Sequence, residues 1–140
     1  LPARLVWCTT PESKEKLAAL SMPANGEKIL SAPATAIIGM DMEYYELLPE
    51  LFPHTDARSW FVGNDALIEK TAFRNSTLQG GYFIMAARAL GLDTGPMSGF
   101  ANDAVDAAGW EERPLGHARN SPRIGRSFRG IADFPLAFPG

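Results

Sequence analysis

The chain has 140 residues, 46% of them hydrophobic and 21% charged, with a formal net charge of −3 and an isoelectric point near 5.3, a composition that suits one ordinary globular domain. The acidic balance argues against a broad nucleic-acid-binding surface, the single cysteine, Cys8, excludes an internal disulfide framework, and no apolar run approaches the roughly 18 residues of a membrane span. With no disulfides and no signal-peptide pattern, the expected compartment is the cytoplasm. The chain begins at Leu1 and reads as a strand almost at once, so it is expected to be N-terminally processed or a piece of a longer protein.

Leu5-Val6-Trp7-Cys8-Thr9-Thr10 is apolar and then β-branched, stops at Pro11, and predicts a strand. Thr10 is placed to cap a helix with Pro11 at its first position. That helix carries Leu17 and Leu20 on one face and Lys14, Glu15 and Lys16 elsewhere. Met22-Pro23-Ala24-Asn25-Gly26 predicts a break, with a short helix through Lys28, Ile29 and Leu30 before Pro33. Residues 34–40 are a nearly continuous apolar run of strand length ending at Asp41, the pattern of a strand buried on both faces. Residues 42–62 hold a helical turn or two before Pro49. Leu51, Phe52, Trp60, Phe61 and Val62 then crowd a segment that should be covered by the chain, a partner or a ligand.

Asn64 or Asp65 caps a long helix that runs to Leu90, about 39 Å at 1.5 Å per residue, with Gly91 as its terminator. Its apolar residues recur near the helical period, from Leu67 and Ile68 through Ala72, Phe73 and Leu78 to Tyr82, Phe83 and Met85. The C-terminal half is apolar nearly all round, which predicts burial. Gly80 and Gly81 sit in mid-helix, where each costs about 1 kcal/mol relative to alanine. Close approach of a backbone or a flat ligand would offset that cost, and so would tight helix packing alone. Residues 91–100, Gly-Leu-Asp-Thr-Gly-Pro-Met-Ser-Gly-Phe, contain more turn residues than a turn requires. A small helix follows over 102–108. Residues 110–140 carry five arginines, four prolines and four glycines and a net charge of +2, against −5 for the preceding residues. They show no strand or helix period and predict a loosely ordered tail, in which Ile131, Phe134, Leu136 and Phe138 suit at most one short docked segment.

Side chains with chemistry are few. His54 and His117 are not spaced as a metal pair, and no acid–base pair or nucleophilic constellation stands out. Cys8 in a buried strand reads as an inert core residue, His54 beside Pro53 as a turn residue, and Asp41 with Glu43 as a strand-end cap. An enzyme built from this inventory needs a cofactor to carry the reaction.

The stretch from Phe73 to Phe100, FRNSTLQGGYFIMAARALGLDTGPMSGF, resembles the FMN-dependent nitroreductase family, most closely the branch that includes malonic semialdehyde reductase. ELLPELFPHTDARSWF at 46–61 and PARLVWCTTPESKEKL at 2–17 resemble the same branch. The resemblance covers residues 2 to about 108. It implies an α+β fold in which the long helix packs on a mixed or antiparallel sheet and forms much of a homodimer interface. The chain then reads as an incomplete nitroreductase-like domain over residues 1–109 with a divergent tail over 110–140. The resemblance further implies FMN as cofactor, NADPH or NADH as co-substrate, and a small carbonyl acceptor. By motif, Pro96, Met97, Ser98 and Gly99 contact the flavin ring, with the Ser98 backbone N–H as donor to flavin N5. Gly95, Pro96 and Gly99 would give the ring a small, fixed main chain to lie on. Arg123, in NSPRIG at 120–125, matches the family's phosphate-binding Pro-Arg segment weakly. The family's segment before the position of Pro2, which supplies basic residues for the FMN phosphate, has no counterpart in the sequence. The alternative is a non-catalytic fragment or interaction module that holds no FMN.

Overall fold

A computed structural model describes residues 1–110 and the two strands Phe128–Gly130 and Leu136–Phe138. In chain order the elements are β1 (Ala3–Cys8), α1 (Pro11–Ala19), α2 (Pro23–Ser31), β2 (Ala34–Asp41), a 3₁₀ turn (Tyr44–Leu47), α3 (Leu48–Leu51), a second 3₁₀ turn (Ala57–Trp60), α4 (Asp65–Ala89), β3 (Gly95–Pro96), α5 (Asn102–Ala107), β4 (Phe128–Gly130) and β5 (Leu136–Phe138).

The helix ends follow from local chemistry. Thr10 and Ser13 form a reciprocal capping box, each side chain bonding the other's backbone N–H, and Pro11 occupies the first helical position. Asn64 caps α4 by accepting from the Leu67 N–H at 3.2 Å. At the other end Gly91 adopts φ +81°. Its N–H and that of Leu92 donate to the carbonyls of Arg88 and Ala87, both at 3.0 Å, a Schellman closure that glycine makes without strain. One boundary differs from expectation. The first helix does end before Met22, but Pro23, Ala24, Asn25 and Gly26 already open α2, because proline at the first helical position loses no hydrogen bond there. Gly26 is buried at the crossing with α1, and a Cβ there would lie 3.3 Å from the Ala18 carbonyl oxygen.

The sheet is antiparallel at every described pairing. β1 runs along one edge of β2 over its length, from Ala3 opposite Met40 to Cys8 opposite Thr35. The other edge of β2 is covered by two tail segments: β5 pairs with Ala34–Ala36 and β4 with Gly39–Asp41. β5 in turn pairs with β3, so the strand order is β1-β2-β5-β3. The expectation of a tail without strands is therefore corrected at these six residues. Their pairing is decided by the open edge of β2, a long-range demand that strand periodicity within the tail does not register. The remaining tail residues, Arg123 and His117 among them, lie outside the described residues.

Helices cover both faces of the sheet. On one, Val6, Cys8 and Ile37 pack with Leu17 of α1, Ile29 of α2, Val105 of α5 and Met97. On the other, Ile38 and Met40 pack with Tyr44 and with Ile68, Ala72 and Ala87 of α4. Residues 35–40 of β2 are accordingly all buried, as the apolar run predicted. Gly80 lies against Ile38, whose Cδ1 would be 3.2 Å from an added Cβ, whereas Gly81 has open space. Of the two readings for this pair, tight packing accounts for Gly80.

Burial of the whole C-terminal half of α4 does not hold within the chain. Leu78, Tyr82, Met85 and Leu90 are 58%, 71%, 68% and 79% exposed. One side of the helix packs on the sheet, and among the described residues nothing covers the other. The 42–62 segment is divided in the same way: Tyr44 and Phe61 pack edge-to-face at 5.4 Å inside, while Leu51, Phe52, Trp60 and Val62 stay exposed.

Candidate functional site

Residues 91–101 connect α4 to α5 by way of the sheet. Arg88 pairs with Asp93 just after the helix closes. Gly95 and Pro96 then join β5, opposite Ala137 and Leu136. Met97 turns its side chain into the core and is buried, whereas Pro96 and Ser98 are exposed. The main chain from Ser98 onward is tied down at successive groups. The Phe100 N–H donates back to the Ser98 carbonyl at 3.1 Å, a tight three-residue turn about Gly99. The Gly99 carbonyl accepts from the Met22 N–H at 2.8 Å and from Asn25 Nδ2 at 3.1 Å. The Ala101 N–H donates to Leu20 at 2.9 Å, and Ser21 bridges Phe100.

Four of the sequence-predicted site residues, Pro96, Met97, Ser98 and Gly99, are thus brought together on one ordered stretch of main chain. Arg123 is outside the described residues. Within this stretch Ser98 is an exposed residue whose backbone N–H donates to no acceptor among the described residues, which leaves it, among them, able to bond a ligand. The structure also adds a demand on Gly99 that the sequence does not reveal. A Cβ at position 99 would stand 2.7 Å from Met22 Sδ and 2.8 Å from Asn25 Nδ2. Met22 and Asn25 are the residues sequence reasoning missed. Asn25 lies 74 positions from Gly99, and nothing local in Met-Pro-Ala-Asn-Gly marks it as a contact.

The other chemically capable side chains are spent elsewhere. Cys8 is fully buried. Burial pushes its thiol up to about 11, partly offset by the Lys16 charge and by a hydrogen bond with Ser13, so it is a poor nucleophile at neutral pH. Asp41 pairs with Arg4 and accepts from the Glu43 N–H at 2.8 Å, the strand-end cap expected of it. His54 is exposed, edge-on to Phe52. A cleft of about 380 Å³ opens between the end of β1, the start of α1 and Trp110. Its Thr10 and Ser13 hydroxyls are used in the cap, and Lys16 donates to the Gly109 carbonyl at 2.7 Å beneath the Trp110 ring. Trp110 itself donates from Nε1 to the Val105 carbonyl at 2.6 Å. Among the described residues no group of histidine, cysteine and carboxylate side chains could hold a metal ion, and no helix is long and apolar enough to cross a membrane.

No family model matches the chain. Individual relatives do. An NADH dehydrogenase/NAD(P)H nitroreductase homologue of Polynucleobacter asymbioticus is 62% identical over 107 residues, and one of Burkholderia lata is 63% identical over 107. Each match takes in 76% of this chain and 55% of the relative, so the chain spans about half the length of the curated relatives it matches. Among solved structures, a nitroreductase homologue from Exiguobacterium sibiricum in complex with FMN superposes with a TM-score of 0.74 at 19% identity, covering 98% of this chain and 66% of that one. A nitroreductase family protein from Streptococcus pneumoniae gives a TM-score of 0.72 at 15% identity, covering 98% and 68%. At such identities the structural likeness shows the fold alone. The chain thus has the nitroreductase-like fold and is more than 60% identical over most of its length to proteins named as NAD(P)H nitroreductases.

Proposed function

We propose that this chain is the flavin-binding core of an FMN-dependent oxidoreductase that reduces a small carbonyl acceptor, of the class of malonic semialdehyde, with NADPH or NADH. The observation that carries the reading is the Ser98 N–H, which donates to no acceptor among the described residues, on a main chain held at its neighbours. The nitroreductase names of the relatives and the FMN of the Exiguobacterium neighbour support it.

The residues present fit such a group in one respect that can be checked. A flat ring needs a flat, rigid surface without protruding side chains. Met97 withdraws into the core, Gly99 has no side chain, and Pro96 has a fixed φ. Pro96, Met97, Ser98 and Gly99 would therefore hold the ring mainly by backbone, with the Ser98 N–H directed to the ring nitrogen N5 and Arg123 as ligand to the phosphate. When bound, FMN supplies the two-electron chemistry for which the side chains of the site are unsuited. The chain's own part is to bind and orient the ring, to donate one hydrogen bond to it, and to keep water from that face. The exposed side of α4 is proposed as the contact with a second copy, and the cytoplasm as the compartment.

The reading is tested by titrating FMN into the purified chain and following quenching of flavin fluorescence. Saturable binding at micromolar concentration, followed by NADPH- or NADH-dependent reduction of malonic semialdehyde, is the expected result. A folded chain that takes up no flavin would overturn the reading in favour of the non-catalytic module.

A further inference from the structure

We propose that Asn25 is a positioning residue for the flavin contact, acting through the carbonyl of Gly99. The inference rests on the flavin reading above and deepens it. Glycine at 99 is the most flexible link in the Pro96–Phe100 main chain, yet it adjoins the residue whose N–H must be aimed. The structure closes that hinge from outside the segment. Asn25 Nδ2 donates to the Gly99 carbonyl at 3.1 Å, beside the Met22 N–H at 2.8 Å. With this carbonyl held, the turn from the Phe100 N–H to the Ser98 carbonyl is fixed as well, so the chain is anchored on the C-terminal side of Ser98 and the residue that carries the N–H has less room to move. The absence of a Cβ at 99 is what lets Asn25 approach: a Cβ there would lie 2.8 Å from the donating nitrogen. Asn25 acts on the flavin only through the Gly99 carbonyl that it holds, so its effect is indirect.

Position 25 also allows a clean substitution. It is the third residue of α2, where a carboxylate is favourable to the helix N-terminus. Asn25→Asp keeps the shape and spares the helix but removes the donor and sets an oxygen against the Gly99 carbonyl. Asn25→Ala removes the donor without adding repulsion.

Three quantities are read in the full chain. In the flavin-free protein, amide exchange at Phe100 and Met22, whose N–H groups report the Ser98 and Gly99 carbonyls, should quicken by roughly three- to ten-fold in both variants, the loss expected for one hydrogen bond. With FMN present, the dissociation constant should rise by a similar factor, and the midpoint potential of the bound flavin should shift because the N5 donor is less well aimed. Unchanged exchange in Asn25→Asp would show that Asn25 does not hold the segment. Faster exchange with unchanged affinity and potential would reduce Asn25 to a structural residue and overturn the proposal. A wild-type chain that binds no FMN would instead sink the flavin reading itself, while the exchange comparison still decides whether Asn25 holds Gly99.

Discussion

Single residues here show how a position can satisfy two demands at once. Gly80 and Gly81 are adjacent and alike in sequence, but only Gly80 meets a neighbour, Ile38. Gly81→Ala should therefore stabilise the monomeric chain by about 0.5–1 kcal/mol, the ordinary gain from replacing glycine in a helix. Gly80→Ala should gain less or lose, since its Cβ must push the buried Ile38 aside. Chemical denaturation of the two variants checks this, and equal gains would mean that Ile38 yields freely. Cys8 supplies a pH dependence. Its pKa is raised in the fold, so its contribution to stability is complete below the unfolded-state value near 9.0 and is lost as pH rises through about 11. Unfolding free energy should fall by about 2 kcal/mol across that window, and Cys8→Ala should flatten the slope. An unaltered slope in Cys8→Ala would assign the loss to other groups.

At the scale of elements, α4 has a filled side and an empty one. Ile68, Ala72, Ser76, Gly80 and Ala87 face the sheet, while Leu78, Tyr82 and Met85 form an exposed apolar stripe at helical spacing. Such a stripe marks an interaction surface, and a helix with the same stripe on a second copy is its natural complement. The chain should accordingly self-associate at micromolar concentration. Tyr82→Lys with Met85→Glu should shift it toward monomer without lowering its helical content. Light scattering reads the mass and circular dichroism the helix. A wild-type monomer, or a double variant that associates just as well, would remove α4 from the interface. Legibility also varied by element. The caps of α1 and α4 were readable because they depend on a few neighbouring residues. The start of α2 was misread because proline and glycine break a helix in its interior but are tolerated in its first turn.

For the molecule as a whole, the decisive feature is that β2 is an interior strand. Read alone, residues 110–140 look dispensable, and their removal should cost no more than a surface change of about 1 kcal/mol. With β4 and β5 in place the expectation reverses. Six residues of β2, Ala34–Ala36 and Gly39–Asp41, pair with them, and among the described residues β3 enters the sheet through β5. Truncation after residue 109 should destabilise the chain by more than about 2 kcal/mol, since backbone hydrogen bonds are worth about 1 kcal/mol each and several are lost together. It should also loosen Gly95 and Pro96, and with them the candidate flavin segment. Thermal unfolding of the truncated chain, with amide exchange at residues 95–100, checks both parts. A truncated chain as stable as the full one would mean that the tail pairing contributes nothing.

The sequence by itself determined the class of fold, the buried strand at 34–40, the limits of the long helix and the resemblance to nitroreductases, because each is written in local periodicity, capping chemistry or a contiguous motif. It also marked Pro96 to Gly99 as the candidate site. What only the tertiary structure decided are contacts between residues far apart in the chain. These are the two tail segments on the open edge of β2, the division of α4 into a packed and an unpacked side, and the clamp from Met22 and Asn25 on Gly99. Each depends on which surface remains unsatisfied after the local elements have formed. No window of sequence contains that information, because the partner that satisfies the surface lies tens of residues away.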